Sequence, residues 1–249
     1  MLRSRKQGET SKILTLYTRQ FGKVSAMAKG SRGVKSKYLG ALETFSYISL
    51  VFYRKEQRSL QYLSQATILE SFPRLHSELG KLTLAAIPCE IVDKSEETEH
   101  PNVPLFQLLL DGLRAIESNT TGLRNVLRAF QLKFIALAGF EPNLHHCHVC
   151  GTSEPDVLHY FSLEHGMYTC SACGPMQQGY PINTHALQVL RWFYDTPIQR
   201  AGEAQVSKQT GEQIDRYLTD YLQYHIEALS HLKSIRYLQN LQNTFSNSS

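Results

Sequence analysis

The spacing of apolar and polar residues changes character near residue 72. Ahead of it, Lys12–Thr18 and Lys23–Ala28 alternate with a period of two, and Gln20-Phe21-Gly22 between them reads as a tight turn. Ser31–Lys37 interrupts this pattern with small, basic and flexible residues and is expected to form a phosphate-contacting loop. The aromatic and β-branched stretch Ala41–Tyr53 predicts a long strand, and Leu60–Leu69 a further one. Together these units suit a compact five-stranded barrel over residues 1–72, although periodicity does not separate a barrel from another small antiparallel sheet.

Past residue 72 the spacing becomes helical. Leu75, Leu79, Leu82 and Ala86 recur at three- and four-residue intervals, with Pro88 expected to end the run and a polar connection expected over Ile91–Asn102. Helices are predicted at Pro104–Ile116, over an apolar stripe from Leu123 to Leu137, at His185–Tyr194 behind an Asn183 or Thr184 cap, at Glu212–Ile226 and at Leu232–Leu238. The segment from Asn243 to Ser249 is expected to fray. The second of these helices carries Arg124, Arg128 and Lys133 opposite its apolar stripe. Such a basic face suits an acidic partner segment or DNA, or else is the solvated side of a packed helix.

Charge sharpens this division. The formal net charge of +4 hides an N-terminal excess: residues 1–60 carry thirteen Lys or Arg against three acids, whereas residues 61–249 carry thirteen against nineteen. Concentrated positive charge favours a polyanionic partner, because neutralising phosphates releases condensed counterions. The candidate contacts are Arg3, Arg5, Lys6, Lys12, Arg19, Lys23, Lys29, Arg32, Lys35 and Lys37, interleaved with Tyr17, Phe21, Tyr38, Tyr47 and Tyr53. Cations can follow a phosphate backbone while exposed aromatics stack on bases, and this pairing points to single-stranded nucleic acid. Alternating strand positions must also bury one face, which assigns several of these aromatics to the core.

Four cysteines carry the strongest chemical signal. Cys147, Cys150, Cys170 and Cys173 form a C-x2-C-x19-C-x2-C pattern, with Gly151 and Gly174 directly after each pair. Two short strand-like pieces, Leu158–Leu163 and Gly166–Thr169, meet at Glu164-His165-Gly166. An insert this small, Phe140 to Gly179, cannot fold on apolar burial alone, and one structural Zn²⁺ on four thiolates would supply the missing energy. Two disulfides, a redox Cys-x-x-Cys and an iron–sulfur centre are the alternatives. Nothing at the start reads as a signal peptide, and no apolar run approaches the length that crosses a bilayer, so a cytoplasmic protein is expected. His145, His146 and His148 are placed at the rim of the site, and Cys89 reads as an ordinary buried thiol. There is no P-loop, HExxH or GxSxG pattern, and a closed four-thiolate site argues against metal catalysis, so no enzymatic activity is expected.

Several segments in one order are similar to a known family. Arg3–Lys23, Ala28-Lys29-Gly30-Ser31-Arg32-Gly33, Leu137–Leu144, Tyr221–Ile226 and Lys233–Leu238 resemble the RecO family of bacterial DNA repair proteins across almost the whole chain. The resemblance implies an α+β protein: an N-terminal OB-fold barrel over residues 1–72, then a mostly α-helical domain over 73–249 with the four-cysteine zinc module inserted at 140–179. It further implies a recombination mediator that binds ssDNA and dsDNA, anneals complementary strands and, with RecR, helps load RecA on DNA coated by single-strand-binding protein (SSB). A nucleoid-associated location, an SSB C-terminal tail received by the helical domain, for which Arg124, Arg128 and Lys133 are local candidates, and a link to RecF complete that expectation. The alternatives are a zinc-stabilised scaffold that mainly recruits RecR or SSB, and a metal-dependent nucleic-acid enzyme.

Overall fold

A computed structural model of the chain describes residues 1–33, 36–38, 40–55, 57–153, 158–175 and 179–246. The chain divides into two compact units, Met1–Glu117 with Leu232–Ser249, and Ser118–His231. The first three helices and the closing one therefore belong with the N-terminal strands, which is a different grouping from a cut at residue 72.

In the first unit, β1 (Arg3–Gln7), β2 (Ser11–Thr18) and β3 (Gly22–Ala28) form an antiparallel meander. Beyond it come β4 (Tyr47–Tyr53) and β5 (Leu60–Glu70), and the sheet order is β1-β2-β3-β5-β4, with β3 and β5 parallel. Alternation decides which side is buried. Leu14, Leu16, Ala26, Ala28 and Leu63 point inward with Tyr38 and Leu42, and Ile48, Leu50 and Phe52 of β4 pack against them. Among the described residues β1 and β4 are the two edges and do not pair, so the sheet is open and not a closed barrel. Their approaches do meet: the Phe45 amide donates to the Met1 carbonyl at 2.9 Å.

The strand expected over Ala41–Tyr53 begins only at Tyr47. Phe45 adopts a left-handed backbone with φ of 69°, which ends any extended run, while Ala41 and Leu42 are buried in the preceding turns. Pro88 does not stop its helix. After α1 (Pro73–Ser77), α2 runs from Leu79 to Ser95 with Pro88 inside it, because Ile87, Cys89, Ile91 and Val92 on either side are all buried. The polar connection expected from Ile91 is thereby shortened. α3 (Val103–Ser118) follows, and α7 (Lys233–Ser246) continues well past Leu238. Arg114 of α3 grips Glu70 of β5 through two nitrogens, which anchors this helix to the end of the sheet.

The second unit is built around α4 (Leu123–Leu137), in which Val126, Ala129, Phe130, Leu132 and Phe134 are at most 2 % exposed. β6 (Leu158–Ser162) and β7 (Met167–Cys170) form the expected hairpin. A third strand that the spacing did not reveal, β8 (Tyr180–Asn183), pairs with the other side of β6. It leads into α5 (Thr184–Asp195), whose first turn is capped by the Asn183 side chain accepting from the Ala186 amide, and α6 (Lys208–His225) closes the unit. Among the described residues no helix is long and apolar enough to cross a membrane.

Candidate nucleic-acid interface and metal centre

The sheet of the first unit has one side turned away from its core. In register across the five strands, Arg5, Ile13, Met27, Tyr62 and Tyr53 form a single row on that outer side. Arg3, Thr15 and Ser25 form a neighbouring row, and next to it the end of α2 covers the sheet. There Tyr17 donates to a Glu96 carboxylate oxygen at 2.9 Å, and burial together with that carboxylate pushes the phenol well above its ordinary value.

The predicted basic residues consequently fall into two groups. Arg3 pairs with Asp93 at 2.8 Å, Lys12 with Glu43 at 3.2 Å and Lys23 with the backbone and carboxylate of Asp93; Lys12 and Lys23 are thereby largely engaged within the unit, whereas the Arg3 side chain stays 67 % exposed. Arg5, Lys6, Arg19, Lys29, Arg32 and Lys37 are exposed. Lys29 lies over the Tyr62 ring at 4.8 Å and Lys37 over Tyr38 at 5.3 Å. Arg32 spans from its loop to the β1–β2 turn, donating to the Gly8 and Glu9 carbonyls at 3.3 and 2.9 Å. This ties Arg32 to the β1–β2 turn while the residue stays exposed. Lys35 lies outside the described residues.

Two further cations, at the other end of the sheet beside the β2–β3 turn, have no counterpart among the residues singled out above. Lys55 and Arg58, both exposed, sit in the β4–β5 connection, which is folded around the buried Gln61 side chain. Gln61 accepts from the Lys55 amide at 2.8 Å and donates to the Lys55 and Arg58 carbonyls at 3.2 and 2.7 Å. A buried amide that satisfies three backbone groups fixes the backbone of Lys55 and Arg58 against β5. Local composition shows the charges but not this brace.

The three cations of α4 behave differently from a solvated basic face. Arg128 is buried and donates to both carboxylate oxygens of Asp215 and to the Asn125 side chain. Arg124 reaches the same Asp215 at 3.0 Å, its side chain 40 % exposed. Lys133 donates to the Tyr194 carbonyl at 2.7 Å, and burial lowers its pKa. Only the Arg124 guanidinium is left with substantial access to solvent.

The four cysteines converge in the second unit. Their sulfurs all lie within 4.8 Å of one another, and Cys150 and Cys170 are 3.8 Å apart. A tetrahedron with bonds of about 2.3 Å has edges of about 3.8 Å, so the separation matches four thiolates around one ion. Each pair is wound into the same turn. The Gly151 amide donates to the Cys147 carbonyl at 2.9 Å and the Gly174 amide to the Cys170 carbonyl at 3.1 Å, with φ of 70° and 76° at the two glycines. The Cys170 amide points at the Cys147 sulfur at 3.4 Å. Burial raises the Cys147 thiol, but the amides of Cys150, Cys170 and Val149 more than offset this and bring it to about 6. Hydrogen bonding with Cys150 and Cys170 pushes Cys173 up to about 12. Four adjacent sulfurs cannot all carry charge without a cation among them, and the donor set therefore fits a metal ion. His145, His146 and His148 are all exposed.

Arg191 of α5 ties this module down. It donates to the Leu144 carbonyl, to the His145 carbonyl at 3.3 Å and to the Tyr168 hydroxyl at 3.1 Å, gripping the chain on both sides of the first cysteine pair. On the opposite side, the His225 ring lies 2.7 Å from the Leu163 carbonyl and stacks on Phe140 at 4.6 Å. Nothing in the spacing of Arg191 foretells this role, since its partners are more than twenty residues away.

The family model described as recombination protein O, N terminal, matches residues 1–72, and its C-terminal counterpart matches residues 76–235. The chain belongs to the recombination protein O family. It is similar to the DNA repair protein RecO of Pelotomaculum thermopropionicum, 34% identical and covering 96% of this chain and 91% of that one. The DNA repair protein RecO of Bacillus pumilus is 30% identical, covering 97% and 92%, and that of Thermoanaerobacter sp. 29% identical, covering 95% and 93%. The two family matches end at residue 72 and resume at residue 76, within α1, whereas the compact units group α1, α2, α3 and α7 with the sheet.

Proposed function

We propose that this RecO family member acts in DNA repair and recombination as a non-hydrolytic mediator, binding ssDNA and dsDNA on its N-terminal unit and annealing complementary strands. The observation that carries the reading is the group of exposed cations Arg5, Lys6, Arg19, Lys29, Arg32, Lys37, Lys55 and Arg58, none with a carboxylate partner among the described residues. Bringing two strands together costs the mutual repulsion of their phosphates, and a positive surface that neutralises both lowers that cost without an energy source. We take this sheet, unpaired between β1 and β4, to be an OB-type barrel left open.

The four-cysteine site is assigned one structural Zn²⁺, held by Cys147, Cys150, Cys170 and Cys173, which acts as a staple for the module and takes no part in DNA chemistry. RecR, the SSB C-terminal tail and RecA are the proposed partners. For an acidic tail, α4 offers chiefly the Arg124 guanidinium.

A scaffold that mainly recruits RecR or SSB is the second reading. It is favoured by the diversion of Arg3, Lys12 and Lys23 into internal ion pairs, which weakens the DNA-facing charge.

Annealing of complementary strands coated with the cognate SSB, in the absence of ATP, tests the choice. The mediator reading expects faster annealing with the protein than without it. A protein that binds SSB or RecR but leaves the annealing rate unchanged is a scaffold.

A further inference from the structure

From the outer row of the sheet we infer that Tyr53 and Tyr62 form a base-stacking platform for single-stranded nucleic acid, separate from the phosphate-contacting cations. The inference rests on the DNA-binding reading above and deepens it.

Tyr53 is 67 % exposed, an unusual state for an aromatic in a strand, and its cross-strand partner is Tyr62. Both stand on the outer side, because Phe52 and Leu63, the next pair in register, face the core. Val51, two residues before Tyr53 on the same side, is 53 % exposed and extends the apolar surface. β4 is an edge of the sheet, so no further strand among the described residues shields this corner. Tyr62 is half-buried, and Tyr53 with Val51 forms an exposed apolar patch of the kind that marks an interaction site.

The surroundings identify the occupant. Lys29 sits over the Tyr62 ring, and Lys55 and Arg58 follow Tyr53 in the loop braced by Gln61. Arg5 ends the same row at the opposite edge. Aromatic faces bordered by cations match a strand whose bases stack while its phosphates run along the charges. A duplex has its base faces already stacked internally and can use only the cations. Stacking engages the face of a base and leaves its hydrogen-bonding edge free, so a strand on this platform stays able to pair with an incoming complement.

The test compares three fluorescently labelled ligands at one salt concentration: a mixed-sequence single strand, a strand of equal length made of abasic sites, and a duplex. Wild-type protein is expected to bind the single strand more tightly than the abasic strand. Tyr53→Ala, and more strongly Tyr53→Ala with Tyr62→Ala, is expected to weaken single-strand binding about fivefold or more per base no longer stacked. Duplex and abasic binding are expected to stay within twofold, and Tyr53→Phe with Tyr62→Phe to restore the preference. Equal wild-type affinity for the normal and abasic strands, or an unchanged Tyr53→Ala variant, overturns the platform while leaving the phosphate-binding reading intact. Binding of none of the three by wild type overturns that reading as well. Tyr53 is largely solvent-exposed, so the single variant remains interpretable if the double variant fails to fold.

Discussion

Arg128 of α4 and Asp215 of α6 meet through two parallel hydrogen bonds, Nε to one carboxylate oxygen at 2.7 Å and a terminal nitrogen to the other at 2.9 Å. The guanidinium is buried and the carboxylate only 27 % exposed, so the pair joins the two helices where little water can replace either partner. Asp215→Asn would leave the buried guanidinium without its counter-charge. A loss of about 3 kcal/mol is expected, read as a lower urea midpoint. Arg124→Ala, removing the more exposed partner of the same carboxylate, is expected to cost less than about 1 kcal/mol. Equal effects of the two variants would contradict the distinction between them.

Gly166 sits at the hairpin turn of the cysteine module with φ of 61°, and a Cβ there would lie 2.2 Å from the Tyr221 hydroxyl oxygen. Gly166→Ala is expected to destabilise the second unit by about 2 kcal/mol through backbone strain and overlap. Tyr221→Phe removes the overlapping oxygen along with its hydrogen bond to the Phe140 carbonyl. The double variant is therefore expected to lose less than the sum of the two single losses. Strict additivity in thermal unfolding would show that the turn does not press on this tyrosine.

At the start of α7, Glu90 accepts from the Ser234 hydroxyl and from the Lys233 and Ser234 amides, capping that helix from α2. Burial raises the Glu90 carboxyl, but these bonds together with Lys94 more than offset it and hold it below 4.5. For a group depressed in the folded state, the stabilisation is complete above its unfolded value and disappears as pH falls through the folded one. Stability is thus expected to fall on acidification below about pH 4.5. Glu90→Gln is expected to be less stable at neutral pH and to show a shallower acid loss. An identical acid profile for the variant would remove Glu90 from the account.

The cysteine site predicts one metal ion per chain. Replacing it with Co²⁺ is expected to give the intense visible absorption of tetrahedral thiolate ligation. Cys147→Ser is expected to abolish that signal, and Cys89→Ser, at a buried thiol in the other unit, to leave it unchanged. A cobalt spectrum that survives Cys147→Ser would exclude this cysteine as a ligand. Strong chelation is expected to lower the melting temperature, since binding to the folded site is folding energy.

Local patterns disclosed the elements that depend on local patterns. The alternation through β2 and β3, the stripe from Leu123 to Leu137 and the paired cysteines all reappear in the structure, because each is fixed by neighbours within a few residues. Features with distant partners were hidden. The face of α4 reads as solvated until Asp215, far along the chain, is brought beside Arg124 and Arg128. Pro88 reads as a stop, yet buried residues on both sides carry the helix through it. β8 escaped notice because Pro181 weakens the strand signal, although proline is tolerated in an edge strand such as this one. The grouping of α7 with the sheet unit follows from its docking on α2, a contact that no spacing announces.

The central claim is that exposed cations of the N-terminal unit bind DNA through its phosphates. The most direct test is the affinity for labelled single-stranded DNA across a series of salt concentrations, for wild type and for a folded variant with Lys29, Arg32 and Lys37 changed to Glu. The account predicts that the logarithm of the wild-type affinity falls linearly with the logarithm of salt, with a slope set by the number of phosphates neutralised, and that the variant binds weakly with a shallower slope. Equal affinity and equal salt slope for the two proteins would contradict it.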